Sequence, residues 1–264
     1  MKFYKFLFVF LIIFISTQFA IAQQQSSVVS DINADGVVRI MAFGDSITYG
    51  IGDGTSPGDV VETPPITDGH GGYPARIEAL YGVLVDNRGF PGEQIDVGGV
   101  KRFPHVVASS TADIVIIKEG ANDSLFRLGR GAYSKDLQKM INTAVVLGKQ
   151  PILATLATPC CNHAGRGEYT NSYSDAVREL AYVNDLIFAD IERAWRTTCR
   201  NKKECELYNL PDGLHPNSVG YDVMAQTILS SLFGIDIFAP GGAALLEGAL
   251  GLPAGEVIVK PGTL

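Results

Sequence analysis

Residues 113–118 read Asp113-Ile114-Val115-Ile116-Ile117-Lys118. Four consecutive β-branched aliphatics between charged ends favour an extended strand and leave it no polar face. Such a strand needs cover on both sides, which is the condition of a strand inside a parallel sheet. Working outward, further apolar runs recur at 37–43, 83–87, 151–156 and 186–190. Between and after them lie stretches with helical spacing at 73–81, 97–108, 134–147, 172–184 and 217–232. This alternation predicts an α/β fold of three layers, α/β/α, around a mostly five-stranded parallel sheet. Each crossover is expected to be right-handed, and ligands are expected at the carboxyl ends of the strands.

The bulk numbers are consistent with that picture. A chain of 264 residues, 46% hydrophobic and 19% charged, can close one sizeable core. The net charge is −7 and no Lys/Arg run occurs, which argues against a nucleic-acid partner because such binding needs a basic footprint. Residues 1–22 have the layout of a secretory signal peptide: Lys2 and Lys5, the apolar run 6–15, then the small-x-small triplet Ala20-Ile21-Ala22. The run is too short for a bilayer span, which takes about 20 apolar residues. The expectation is cleavage after Ala22, a secreted or periplasmic location, and no stable membrane insertion afterwards. Residues 23–36 read as a loose polar leader, 37–233 as the catalytic domain and 234–264 as a Gly/Pro-rich tail with a short helix near 243–250. Export makes Cys160, Cys161, Cys199 and Cys205 disulfide candidates. Cys199 and Cys205 flank a short polar stretch and are the favoured pair. A bridge from the Cys160-Cys161 segment to that stretch stays open.

The chemistry starts where the first strand ends, in Val38-Arg39-Ile40-Met41-Ala42-Phe43-Gly44-Asp45-Ser46. A serine after a strand is most often a turn or helix-cap residue. Far downstream, however, Asp212-Gly213-Leu214-His215 supplies a carboxylate and an imidazole three residues apart. A serine hydroxyl needs a base to become a nucleophile, and the histidine needs a partner to fix its tautomer. Ser46 as nucleophile, His215 as base and Asp212 as its orienting carboxylate therefore point to acyl transfer from an ester.

The chain resembles the SGNH hydrolase family of GDSL-type esterases and lipases. Gly44-Asp45-Ser46 is similar to the family's first block. Asn87-Arg88-Gly89-Phe90-Pro91-Gly92 is similar to the second, Gly120-Ala121-Asn122-Asp123 to the third, and Asp212-Gly213-Leu214-His215-Pro216-Asn217 to the fifth. They occur in family order and span most of the chain beyond the leader. The resemblance implies a flavodoxin-like sheet and ester substrates; no cofactor or metal is expected, because no ligand cluster is visible in the sequence. It also implies an oxyanion hole made by the backbone N–H groups of Ser46 and Gly92 and the side-chain amide of Asn122, where negative charge develops. Asp45 and Asp123 are expected to tie loops to backbone N–H groups rather than to react.

Other polar residues are assigned ordinary roles. His70, His105 and His163 lack partners at ligand spacing. The 50–72 stretch reads as a long loop without helix or strand, and its Asp53, Asp59, Glu62 and Asp68 show no regular Ca²⁺-loop spacing. The expected substrates are short-chain acyl esters or acetylated glycans. The rival readings are an O-acyltransferase to a sugar acceptor and a non-catalytic carbohydrate-binding protein on the same scaffold.

Overall fold

A computed structural model describes residues 29–54, 60–61, 71–199 and 204–259. Five parallel strands form the sheet in the order β3-β1-β4-β5-β6: β1 (Arg39–Gly44), β3 (Leu84–Gly89), β4 (Ile114–Lys118), β5 (Gln150–Ala154) and β6 (Phe188–Ala189). β4 holds the central position and every residue of it is buried, as its unbroken apolar run requires. β6 is shorter than the apolar run that predicts it.

Strand order explains where the helices go. From β1 the chain moves one way to β3 through α2 (Gly72–Tyr81), then back across to β4, β5 and β6 through α3 (Val100–Ala108), α5 (Arg130–Val146) and α6 (Gly167–Val183). Right-handed crossovers running in opposite directions put their helices on opposite faces. Accordingly α3, α5 and α6 pack on one another as one layer, while α2 packs with α8 (Ser218–Leu232), which also touches α7 (Ile191–Thr198). The reversal occurs at β1, and Ser46 follows it directly. A crevice at such a reversal is where open α/β sheets bind ligands.

Several details differ from the sequence expectation, while the tail helix and the favoured disulfide follow it. Val60–Val61 form a two-residue strand, β2, paired in parallel with β7 (Leu210–Pro211), so the 50–72 loop is not free of strand. Asp59, Glu62, Asp68 and His70 lie outside the described residues, as does the signal-like segment. Part of the leader is not loose: Ile32 and Asn33 donate backbone N–H to Asp113 Oδ1 at 2.9 and 3.1 Å, while Asp113 Oδ2 accepts Arg39 N–H at 2.9 Å. α7 arises where no helix is expected; the Asp190 side chain caps it by accepting Arg193 N–H at 3.1 Å. The tail carries α9 (Gly242–Leu250) and folds back on α8, where Gln226 bonds the backbones of Glu256 and Ile258. Cys199 and Cys205 are joined by a disulfide, and Cys160 and Cys161 are not. Among the described residues no helix is long and apolar enough to cross a membrane.

Candidate active site

Ser46 opens α1 (Ser46–Tyr49), and Asp45 is its N-cap, accepting Ile47 N–H at 2.9 Å. As the first helical residue, Ser46 has a backbone N–H with no intrahelical acceptor. Its hydroxyl lies 3.0 Å from His215 Nε2. On the other side of the ring, His215 Nδ1 lies 3.1 Å from Asp212 Oδ2. The same carboxylate oxygen accepts the backbone N–H of Leu214 at 3.1 Å and of His215 at 2.7 Å. Three-residue spacing thus wraps the loop around Asp212, as the sequence suggests.

Burial raises the Asp212 carboxyl, but the His215 side-chain and backbone hydrogen bonds outweigh it, so its pKa is lowered. An ionised Asp212 fixes the His215 proton on Nδ1 and leaves Nε2 as an acceptor facing the serine. The group can therefore move a proton off Ser46 Oγ.

The loop that holds Asp212 and His215 is closed at its neck by Asn209. Its backbone N–H donates to His215 O at 3.0 Å and its carbonyl accepts Gly213 N–H at 2.8 Å. Its amide reaches across to Gly52 O at 3.1 Å, next to the nucleophile turn. Gly213 has φ +71°, and a Cβ there would lie 2.4 Å from Cys160 O, so only glycine lets the two backbones meet. Asn217 caps α8 by accepting Gly220 N–H at 3.1 Å.

The other two segments are stapled to the nucleophile turn by buried carboxylates. Asp45 Oδ2 accepts Ala121 N–H at 3.3 Å. Asp123, which opens α4 (Asp123–Phe126), accepts Ile95 N–H on both oxygens, at 3.0 and 3.1 Å. Asn122 then donates its side-chain amide to Glu93 O at 2.8 Å, one residue beyond Gly92. Gly92 has φ +81° because Phe90-Pro91-Gly92-Glu93 is a turn closed by Glu93 N–H to Phe90 O at 3.1 Å, with proline second and glycine third. Asp45 and Asp123 thus act as the structural brackets their positions predict. Burial pushes the Asp123 carboxyl up to about 7, against the pull of its backbone hydrogen bonds. Beneath them Lys118 is buried, its Nζ 3.7 Å from Asp45 Oδ1. Glu119 is also buried, and desolvation with the Asp45 and Glu93 charges holds its pKa well above the ordinary carboxylate range. Glu93 pairs with Arg102.

His163, set aside in the sequence, and Arg166, not singled out there, belong here. His163, assigned no partner, has Nδ1 2.7 Å from Asp212 O and 3.3 Å from Asp212 Oδ1. Arg166, from the same 3₁₀ turn (Cys161–Arg166), lies within charge range of Asp212. Both contacts join positions about fifty residues apart, so no local spacing announces them. Burial and the neighbouring Cys161 push the Cys160 thiol up to about 12, which keeps it protonated and unreactive at neutral pH. Asp53, considered above with the acidic loop residues, is bound by the Arg76 guanidinium at 2.5 and 2.8 Å. Among the described residues no three His, Cys, Asp or Glu side chains converge as a metal site requires.

Comparison with known proteins bears on this geometry. Residues 42–223 match the model of the GDSL-like lipase/acylhydrolase family, a span that runs from inside β1 to α8 and includes Ser46, Gly92, Asn122, Asp212 and His215. The chain belongs to this family. It is accordingly an ester-hydrolysing enzyme. An alpha/beta hydrolase from the metagenome of Lake Arreo, Spain, is similar in fold at a TM-score of 0.61 and 21% identity, over 74% of this chain and 94% of that one. An acetyl xylan esterase from Geobacillus stearothermophilus is similar at a TM-score of 0.59 and 22% identity, over 74% and 94%. A lipase/acylhydrolase from Enterococcus faecalis is similar at a TM-score of 0.59 and 23% identity, over 75% and 96%. At these identities the structures speak for the fold. No curated protein sequence matches the chain.

Proposed function

We propose that this GDSL-family enzyme is an exported serine esterase acting on short-chain acyl esters or acetylated glycans through an acyl-enzyme on Ser46. The observation that carries this reading is the unbroken relay at the carboxyl end of β1: Ser46 Oγ to His215 Nε2 at 3.0 Å, and His215 Nδ1 to Asp212 Oδ2 at 3.1 Å. Ser46 Oγ attacks the ester carbonyl carbon as His215 Nε2 takes the hydroxyl proton. Asp212 stabilises the imidazolium without itself taking the proton. The N–H groups of Ser46 and Gly92 and the amide of Asn122 meet the negative charge on the former carbonyl oxygen. The intermediate collapses, the bond to the alcohol oxygen breaks, and the alcohol leaves with the proton from His215. Water repeats the sequence on the acyl-enzyme, releasing a carboxylic acid and free Ser46. This chain's own residues supply each of these steps.

A small acyl group on a soluble or polysaccharide alcohol is the favoured substrate. The fold similarity to an acetyl xylan esterase supports it. Residues 1–22 serve as the export signal, 23–36 as the leader, 37–233 as the catalytic domain and 234–264 as a tail.

The test is an activity series on chromogenic esters of increasing acyl length, together with acetylated xylan, for wild type and Ser46→Ala. The expected result is hydrolysis of the short esters, loss of nearly all activity in the variant, and labelling of Ser46 by a serine-directed phosphonate. Wild-type turnover by Ser46→Ala overturns the nucleophile assignment. For export, the mature chain should begin at Gln23 by mass.

A further inference from the structure

We infer that His163 is a positioning residue for the Asp212–His215 pair, an inference that rests on the Ser46 mechanism proposed above. The chemistry of the contact fixes its direction. A backbone carbonyl can only accept, so the 2.7 Å contact between His163 Nδ1 and Asp212 O requires a proton on His163 Nδ1. The same N–H faces Asp212 Oδ1 at 3.3 Å. The donors on the carboxylate then divide unevenly. Oδ2 carries the N–H groups of Leu214 and His215 and the His215 ring. Oδ1 faces His163, which arrives from a different part of the chain.

The loop's own hydrogen bonds therefore orient Asp212 within the loop, while His163 sets where that loop sits against the rest of the fold. One more bond shares the task. Cys160 N–H donates to Gly213 O at 2.9 Å and docks the turn on the Asp212 loop, while His163 N–H to Cys160 O at 2.8 Å closes the turn itself. Among the described residues, the charged and titratable groups acting on Asp212 include His215 on its own loop, His163 and Arg166 on the 3₁₀ turn, and Tyr208 alongside. The site is shielded: the Asp212 side chain is 7% exposed and that of His163 24%. A displaced Asp212 turns the imidazole away from Ser46, and proton transfer is sensitive to that geometry.

The variants that test this differ in the donor and little else. Asn places an amide N–H near the position of Nδ1, whereas Leu has the same branching and no donor. His163→Leu is expected to lower kcat roughly tenfold with KM within about twofold, the low end of what outer hydrogen bonds orienting a reactive histidine contribute in metal sites. His163→Asn is expected to return kcat to within about threefold of wild type. His163→Gln, whose amide reaches past the Nδ1 position, is expected to behave like Leu and serves in its place if the Leu variant does not fold. Ser46→Ala is run alongside. Wild-type kcat in His163→Leu or His163→Gln overturns the inference while leaving the mechanism intact. Equal losses in His163→Asn and the donor-free variant reduce the contact to a fold support and also overturn it, as does a rise in KM with kcat unchanged. Activity surviving in Ser46→Ala removes the mechanism, and the inference with it.

Discussion

Replacing Asn122 with alanine separates charge stabilisation from nucleophile activation. The Asn122 amide carries two N–H bonds. One is used on Glu93 O at 2.8 Å, which leaves the other for an oxyanion beside Gly92. Asn122→Ala removes both, and the two losses appear in different measurements. Loss of one preorganised oxyanion donor costs about 2.7–4 kcal/mol in the transition state, roughly 10²–10³ in kcat. KM should stay nearly unchanged, because the interaction matters once the oxygen is anionic. Loss of the Glu93 hydrogen bond costs about 0.5–1.5 kcal/mol of folding stability, a fall in Tm of roughly 2–4 °C per kcal/mol for a domain of this size. The assay is steady-state hydrolysis of a chromogenic acetate ester with a parallel thermal melt. His215→Ala should lose more activity than Asn122→Ala, since the serine then has no base. If Asn122→Ala raises KM with kcat intact, Asn122 binds the ground state and the oxyanion assignment is wrong. If kcat falls by less than about fivefold while Tm falls as expected, Asn122 is a structural bracket for the 92–93 turn.

Two further outcomes test the framework around the site. Gly213→Ala puts a methyl group 2.4 Å from Cys160 O at a residue with φ +71°. It should force the Asp212 loop off the 160–163 segment and reduce kcat well beyond the accompanying change in Tm; unchanged kinetics would show that the close approach has no bearing on the site. Asp123 has its carboxyl pKa raised from 3.8 to about 7 by burial. A raised folded pKa contributes stability that is complete below the unfolded value and lost as pH rises through the folded one. The Tm advantage of wild type over Asp123→Asn should therefore shrink between about pH 4 and pH 8, and a difference that grows with pH contradicts the burial argument.

Much of this protein was legible in the order of its residues. The run at 113–118 can only be a strand covered on both faces, because four adjacent aliphatics leave no polar side to face water. The Gly44–Ser46 turn and the Asp212–His215 spacing are local devices, since a capped strand-to-helix turn and a three-residue loop around a carboxylate both form from neighbours in sequence. For that reason the candidate nucleophile, base and carboxylate are legible in the sequence. Asp45 and Asp123 were readable as brackets for a similar reason, as short carboxylates beside turns seek backbone N–H groups. What only the tertiary structure decided is the set of contacts between distant segments. His163 on Asp212, Asn209 on Gly52, Asp113 on the leader, and β2 on β7 each join residues brought together by strand order and crossover handedness. A hydrogen bond between residues so far apart in sequence leaves no period or spacing in a single chain. Its geometry is set by where the sheet edges and loop ends come to rest.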